Sequence, residues 1–400
     1  MNFKSKQLKF TGLSKTYQFL LLVMFAAIPL FAIDVFRIKI GALSITISLI
    51  ILLILFLLSK QRLQTIPKII WRIIGVVFIF HLVTIFYAYD ADLVLKYSLK
   101  YLFWIVIFWM SNVVFNNLKK PPLRAFQVMA VCSSLLGIYL IYTSLFTLKV
   151  GAIFFEGTGR NQIQVYLVLL MPLLGYLYSK TNKYIYVFSL IINAIVSIFL
   201  ASRGLWVALA LGWGVWFAFS VLKNLSFRRI IFYSILVATI TTLSSKIKVG
   251  ASVWTYVTKR FESIFTINEQ INDGHIDSIT ERASLIKLAL NDFYLHPFFG
   301  RGLGTFELTN VIGKITHNDY LFFLCSFGII GLLLFLFFEW KVLQKLNKRG
   351  LATLIAPFFI DLTFINAYTF PLFPIFLGLY FSNLFLFEEN FRKGRLKKQT

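Results

Sequence analysis

Acidic side chains are rare in this chain. Sixteen Asp and Glu stand against 40 Lys and Arg in 400 residues, and charged residues of all kinds make up only 14%. The acids and the four histidines are scattered, so no set sits at metal-ligand spacing; no metal and no cofactor are expected. Cysteine is nearly absent. Cys132 and Cys325 each fall inside an apolar run and read as small core hydrophobes, not as a disulfide pair. Strand-length alternation of apolar and polar residues is missing, which excludes a β-barrel. Tandem repeats and the inverted halves of many transporters are also not visible.

What the chain has instead is apolar length. Hydrophobic residues make up 58%, including 45 phenylalanines, and the mean hydropathy is +0.79. A soluble domain of this size could not bury that much apolar surface. Runs of about 20 apolar residues match a helix crossing a ~30 Å hydrocarbon core. The expected fold is an all-α polytopic membrane protein of about twelve transmembrane helices. The runs fall at about 17–36, 40–58, 71–89, 97–115, 125–147, 162–179, 184–201, 204–222, 229–244, 318–339, 351–367 and 371–387.

The formal charge of +24 would point to nucleic acid in a soluble protein. Here the positive-inside rule explains it. With both termini inside, the cytoplasmic segments hold 25 of the 40 basic residues but only three acids, Glu339, Glu388 and Glu389. No nucleic-acid partner is expected. Lys4, Lys6, Lys9 and Lys15 precede a span that continues into the bundle, so a cleavable signal is not expected.

The chain reads as one membrane domain over 1–400, with an outer-face insertion at 245–316 between the ninth and tenth spans. The insertion should contain helices. Ile279, Ala283, Ile286, Leu290 and Phe293 recur at helical spacing, Ser278 and Glu281 fit a capping box, and His296-Pro297 ends the pattern. A second helix is expected at about 252–265. Both should lie across the outer mouth of the bundle.

On this topology several polar residues share one face. Arg160 and Asn161 precede the sixth span, and Ser202-Arg203-Gly204 forms the tight turn between the seventh and eighth. Arg282, Arg301, His317 and Asn318 belong to the insertion and the start of the tenth span. Arg203 interrupts two apolar runs with almost no loop around it; it is either snorkelling at the interface or a guanidinium fork for a phosphate. His317 among arginines would stay neutral and able to accept a proton. His275 and His296 lack such company and read as loop and helix-end residues. Gly300, Gly302 and Gly304 form a G-x-G-x-G, but no βαβ unit surrounds it, so a close backbone approach to ligand or bundle is the better reading. His81 and Asp361 fall near mid-membrane, either pairing structurally or lining a polar cavity.

In their order these residues resemble the O-antigen ligase and polymerase superfamily of bacterial envelope glycan enzymes. The resemblance rests on SRGLW at 202–206, ERASLIKLAL at 281–290 and PFFGRGLGTF at 297–306. It continues with His317-Asn318-Asp319-Tyr320-Leu321, then Gly-Ile-Ile-Gly at 328–331, and Asn161 before the sixth span. It covers roughly 160–340. It implies a metal-independent membrane glycosyltransferase in the bacterial inner membrane, with its active site on the extracytoplasmic face. The implied partners are an undecaprenyl-pyrophosphate-linked glycan donor, a glycan or glycolipid acceptor, and membrane lipids. In that reading Arg203 and Arg282 clamp the pyrophosphate and His317 activates the acceptor hydroxyl, inverting configuration. Arg160, Asn161, Arg301 and Asn318 bind substrate. Ligase-type transfer fits the motifs best; a repeat-unit polymerase is the alternative, and a lipid-linked oligosaccharide flippase the alternative from another class.

Overall fold

The structure is a computed structural model and describes residues 15–32, 37–40, 43–59, 65–118, 121–146, 160–200, 202, 204–211, 278–348, 350–365 and 370–385. The expected span at 229–244, the end of the one at 204–222, and the insertion up to residue 277 lie outside the described residues. So do the expected helix at 252–265 and His275.

Apolar runs become helices as expected, because a buried or lipid-facing backbone must satisfy its own hydrogen bonds. The first seven are α1 (Lys15–Ala27), α2 (Ile47–Leu58), α3 (Lys68–Val83), α4 (Ala91–Asn116), α5 (Leu123–Phe146), α6 (Arg160–Thr181) and α7 (Tyr184–Leu200). After residue 277 come α8 (Ser278–Leu295), α9 (Thr305–Thr309), α10 (Asp319–Asn347), α11 (Ala352–Asp361) and α12 (Leu372–Phe381). One departure from an all-helical chain is a small antiparallel hairpin, β1 (Arg37–Ile40) with β2 (Leu43–Thr46), in register Arg37 opposite Thr46. Its β-branched residues take the pleated conformation where a helical span was expected to begin at 40.

Length and composition allow Lys68–Phe86, Ala91–Asn116, Leu123–Thr143, Asn161–Thr181 and Asp319–Asn347 to cross a membrane. The chain is an integral membrane protein on that ground, and large apolar side chains such as Ile79, Leu99 and Leu135 face outward as lipid contact requires. Inside, aromatic rings fill the space between helices. Trp104 of α4 meets Phe108 at 5.5 Å and Phe373 of α12 at 5.7 Å, and Phe358 of α11 stacks on Phe373 at 4.1 Å. His81 stacks on Tyr101 at 4.6 Å while its Nδ1 donates to the Val77 carbonyl at 2.8 Å. It therefore belongs to the aromatic core and does not pair with Asp361.

The tenth span differs most from expectation. As one straight rod, a helix places residues 19 apart about 28 Å from each other. Yet the Tyr320 hydroxyl donates to the Glu339 carboxylate at 2.9 Å, and Phe323 stacks on Phe335 at 4.1 Å. The chain folds back on itself at Gly328, whose φ of 66° and ψ of −163° are open only to glycine. Residues 319–327 form a half-helix about 13 Å long, and 329–347 form the span proper, about 28 Å. The expected single span at 318–339 is thus replaced by a hairpin.

The reversal frees backbone groups, and the segment after α8 takes them up. In an unbroken helix the amides of Ile329 and Ile330 would reach the carbonyls of Cys325 and Ser326. Here those amides donate to Pro297 and Phe298, at 2.8 and 3.4 Å. The orphaned carbonyls accept from Arg301 and Gly302, at 2.8 and 3.1 Å. All four groups are satisfied, which matters in a bilayer where each loss costs several kcal/mol. The crossing is tight: a Cβ on Gly300 would lie 2.4 Å from the Cys325 oxygen, and one on Gly302 2.6 Å from the Ala88 side chain. The G-x-G-x-G is therefore a close backbone approach to the bundle.

Two other expected spans are short. Helices α11 and α12 have 10 residues each, about 15 Å, or half of a hydrocarbon core. Glu339 is buried at 7% exposure against the half-helix, and Tyr320 also donates to the Phe359 carbonyl at 2.8 Å. Tyr320→Phe leaves that carboxyl short of a donor and should lower stability by about 1–3 kcal/mol, read as the thermal midpoint in detergent. Glu339→Gln keeps an acceptor oxygen and should cost less.

Candidate functional site

The half-helix begins at the His-Asn-Asp turn, some 12 Å from the Gly328 reversal. His317 has a φ of +50°, a left-handed conformation unusual for a side chain other than glycine. Anchors on both sides hold it there. The Thr316 hydroxyl donates to the Asn318 carbonyl at 2.8 Å, and the Asp319 amide donates to the Leu362 carbonyl at 2.9 Å. Asn318 is the N-cap, its side-chain oxygen accepting from the Leu321 amide at 3.0 Å. Asp319 is fully buried.

Helix α8 runs beside this half-helix. It spans Ser278–Leu295, as the capping and proline signals predict, but its buried face is not the expected stripe. Leu285 and Ala289 are fully buried with Cys325 and Phe306, while Ile286 and Leu290 of the expected stripe are exposed. The half-helix offers Leu321 and Cys325 as partners and selects that neighbouring face; the Cys325 thiol even donates to the Ala289 carbonyl. The helix therefore packs along 319–327, and its first turn carries Arg282 to His317.

Arg282 is exposed, and its charge acts on both His317 and Asp361. Glu281 and Lys314, paired at 2.6 Å, flank the same histidine. Burial lowers the His317 pKa below the ordinary imidazole value; Arg282 lowers it further, Glu281 opposes, and Lys314 adds a smaller lowering. A neutral ring in a cationic setting follows.

Behind this pair lies a polar chain that sequence reading left unassigned. Asp361, at the tip of α11, is fully buried and accepts from the Gln164 side-chain amide. Gln164 in turn accepts from the Ser202 hydroxyl. The other Asp361 oxygen, Oδ2, has no hydrogen-bond partner among the described residues. Helix α6, the Ser202–Gly204 turn, α8, the half-helix and α11 thus meet at one place. A Cβ on Gly204 would lie 2.5 Å from Phe364, so this turn admits only glycine. The signal for Gln164 was present: it sits three residues after Asn161, on one face of α6.

The expected site residues divide. His317, Asn318 and Arg282 come together, and half-buried Asn161 lies one turn from Gln164. Arg203 lies outside the described residues, between Ser202 and Gly204, which are placed at the site. Arg160 begins α6, with nothing described beyond its backbone. Arg301 is placed elsewhere: its guanidinium pairs with Asp292 at 2.8 Å, beside Cys325 at the reversal end of the half-helix.

No curated protein matches the chain. Residues 187–336 match the family model described as O-antigen ligase. That stretch contains SRGLW, Arg282, the PFFGRGLG crossing and the His317 turn, so this part of the chain is similar to that family, and the match supports membership of the O-antigen ligase and polymerase superfamily.

Proposed function

We propose that the protein transfers a glycan from an undecaprenyl-pyrophosphate carrier to an acceptor sugar hydroxyl, in the manner of an O-antigen ligase. The observation that carries the reading is the His317 turn at the base of the half-helix, half-buried and under the charge of Arg282 from the neighbouring helix. Neutral His317 takes the proton of the acceptor hydroxyl as its oxygen attacks the anomeric carbon. The bond from that carbon to the diphosphate oxygen breaks, and configuration inverts. Arg282, with Arg203, meets the charge that grows on the departing diphosphate, a task guanidinium forks perform without a cation. Asn161, Arg160 and Asn318 are proposed substrate contacts. Arg301, already paired with Asp292, is proposed to hold the crossing in shape. The site is read as extracytoplasmic, in keeping with the excess of basic residues assigned to the opposite side.

Purified protein in nanodiscs, given a lipid-linked glycan donor and lipid A-core oligosaccharide without divalent metal, should form the conjugate. A ladder of longer lipid-linked chains instead would assign the protein to polymerisation. No product in either form would remove the reading.

The electrostatics around His317 give a second test. The acid limb of the pH–rate profile should fall below the ordinary imidazole range, since the base is lost as pH drops through its lowered pKa. Glu281→Gln removes the charge that favours the imidazolium and should move the limb to lower pH. Lys314→Gln should move it to higher pH. Parallel shifts, or none, would mean that another group titrates.

A further inference from the structure

A polar cluster stands on another face of the half-helix. Leu321 faces α8, while Phe322 packs against Tyr97 of α4 with ring centroids 5.6 Å apart. The Tyr97 hydroxyl donates to both Glu307 oxygens at 3.1 Å. The Lys100 ammonium lies 5.1 Å from the Tyr97 ring centroid, and the charges of Lys100 and Lys96 both act on Glu307. Glu307 comes from α9, which Gly304 (φ +73°) brings against Leu93 of α4. Beside this cluster Glu307 and Phe322 line a small cavity of about 10 Å³, room for one water or one hydroxyl, together with Thr316, the residue before His317; Tyr97 and Lys100 are not among its walls.

We infer that Glu307, Tyr97 and Lys100 hold the acceptor sugar by its hydroxyl groups and so set acceptor choice; this rests on the transfer reading above. Tying α9 to α4 requires only the Tyr97–Glu307 bond. That bond does not by itself require a cationic setting, yet Lys96 and Lys100, one turn apart on a helix long and apolar enough to cross a membrane, both act on the same carboxylate. A carboxylate offers about four lone-pair sites, and Tyr97 occupies only one on each oxygen. Burial holds the Glu307 carboxyl above its usual range, with Tyr97, Lys100 and Lys96 opposing. Hydroxyl donors would meet Glu307, hydroxyl oxygens would meet Lys100, and the Tyr97 and Phe322 rings supply an apolar wall. The cluster lies on the α4 side of the half-helix and Arg282 on the α8 side, so donor and acceptor would approach the His317 turn from different sides.

The test uses full-length protein in nanodiscs with a lipid-linked glycan donor. One arm offers lipid A-core oligosaccharide as acceptor, the other a second lipid-linked unit. Glu307→Gln keeps an oxygen for Tyr97, and Lys100→Met keeps the helix. Each should raise the acceptor KM about tenfold or more, the worth of one charge-assisted hydrogen bond, in whichever arm is active. The donor KM and hydrolysis of donor without acceptor should stay within about twofold. Unchanged acceptor KM in both variants would overturn the inference, as would an equal rise in both KM values. Wild-type protein inert in both arms would instead overturn the transfer reading beneath it. Should Glu307→Gln fail to fold, Lys100→Met decides.

Discussion

His317→Asn is expected to lower glycan transfer by about 10²–10⁴-fold, the range of a positioned general base, while leaving the protein folded. Asparagine is the proper replacement. His317 holds a φ of +50°, a region that asparagine tolerates and alanine does not, so an alanine variant would mix lost chemistry with strained backbone. The anchors on either side, Thr316 to the Asn318 carbonyl and the Asp319 amide to Leu362, involve no His317 side-chain atom and should survive. The readout is conjugate formation in nanodiscs, with the thermal midpoint as control. Arg282→Gln should cost about 10²–10³-fold by removing diphosphate stabilisation. The two losses should not add, since each variant disables the same step. Transfer by His317→Asn within about threefold of wild type would dismiss the histidine as base.

Much of this molecule was legible in its sequence because lipid leaves a backbone few choices. The long spans α3 to α6 appear where the apolar runs predict them. That Arg282 and His317 share one face was expected from the topology and the order of the motifs, and the Arg282 charge acts on the His317 ring. The reversal behind His317 was not legible. The run LFFLCSFGIIGLLLFLFF has no polar break, so averaged hydropathy reads it as one span. The reversal is written in one glycine and in hydrogen bonds to a segment some 30 residues earlier. Two stripes overlap on α8, and spacing could not tell which would be buried until Leu321 and Cys325 were in place. Gln164, Asp361, Tyr97 and Glu307 escaped for a similar reason. Apart from Asp361, whose place near mid-membrane left its role open, each is an unremarked polar residue on its own helix, and only the fold brings them toward the His317 turn.

Gly328→Ala should damage the protein more than any other single methyl. The residue sits at φ 66° and ψ −163°, a region that costs another residue about 1–3 kcal/mol. The added Cβ would lie 2.3 Å from the Phe298 carbonyl, and overlap in a tight core costs about 1–3 kcal/mol more. A total of several kcal/mol is a large part of a typical folding margin. Gly313→Ala serves as the comparison. Gly313 also has a φ of +66° but nothing within 4 Å of its Cβ position, so its variant carries a positive-φ cost without any overlap. Thermal midpoints in detergent should therefore rank wild type above Gly313→Ala, and Gly313→Ala well above Gly328→Ala. Equal midpoints for the two variants would show that Phe298 yields and that the crossing is loose. The effect on activity should exceed the effect on stability. The crossing of 297–302 with 325–330 sets where the half-helix starts, and that start is the His317 turn. Any Gly328→Ala protein that folds must move the crossing by some tenths of an ångström, and His317 would shift relative to Arg282 on the neighbouring helix. A misplacement of that order is enough to lose much of a reaction that depends on positioning.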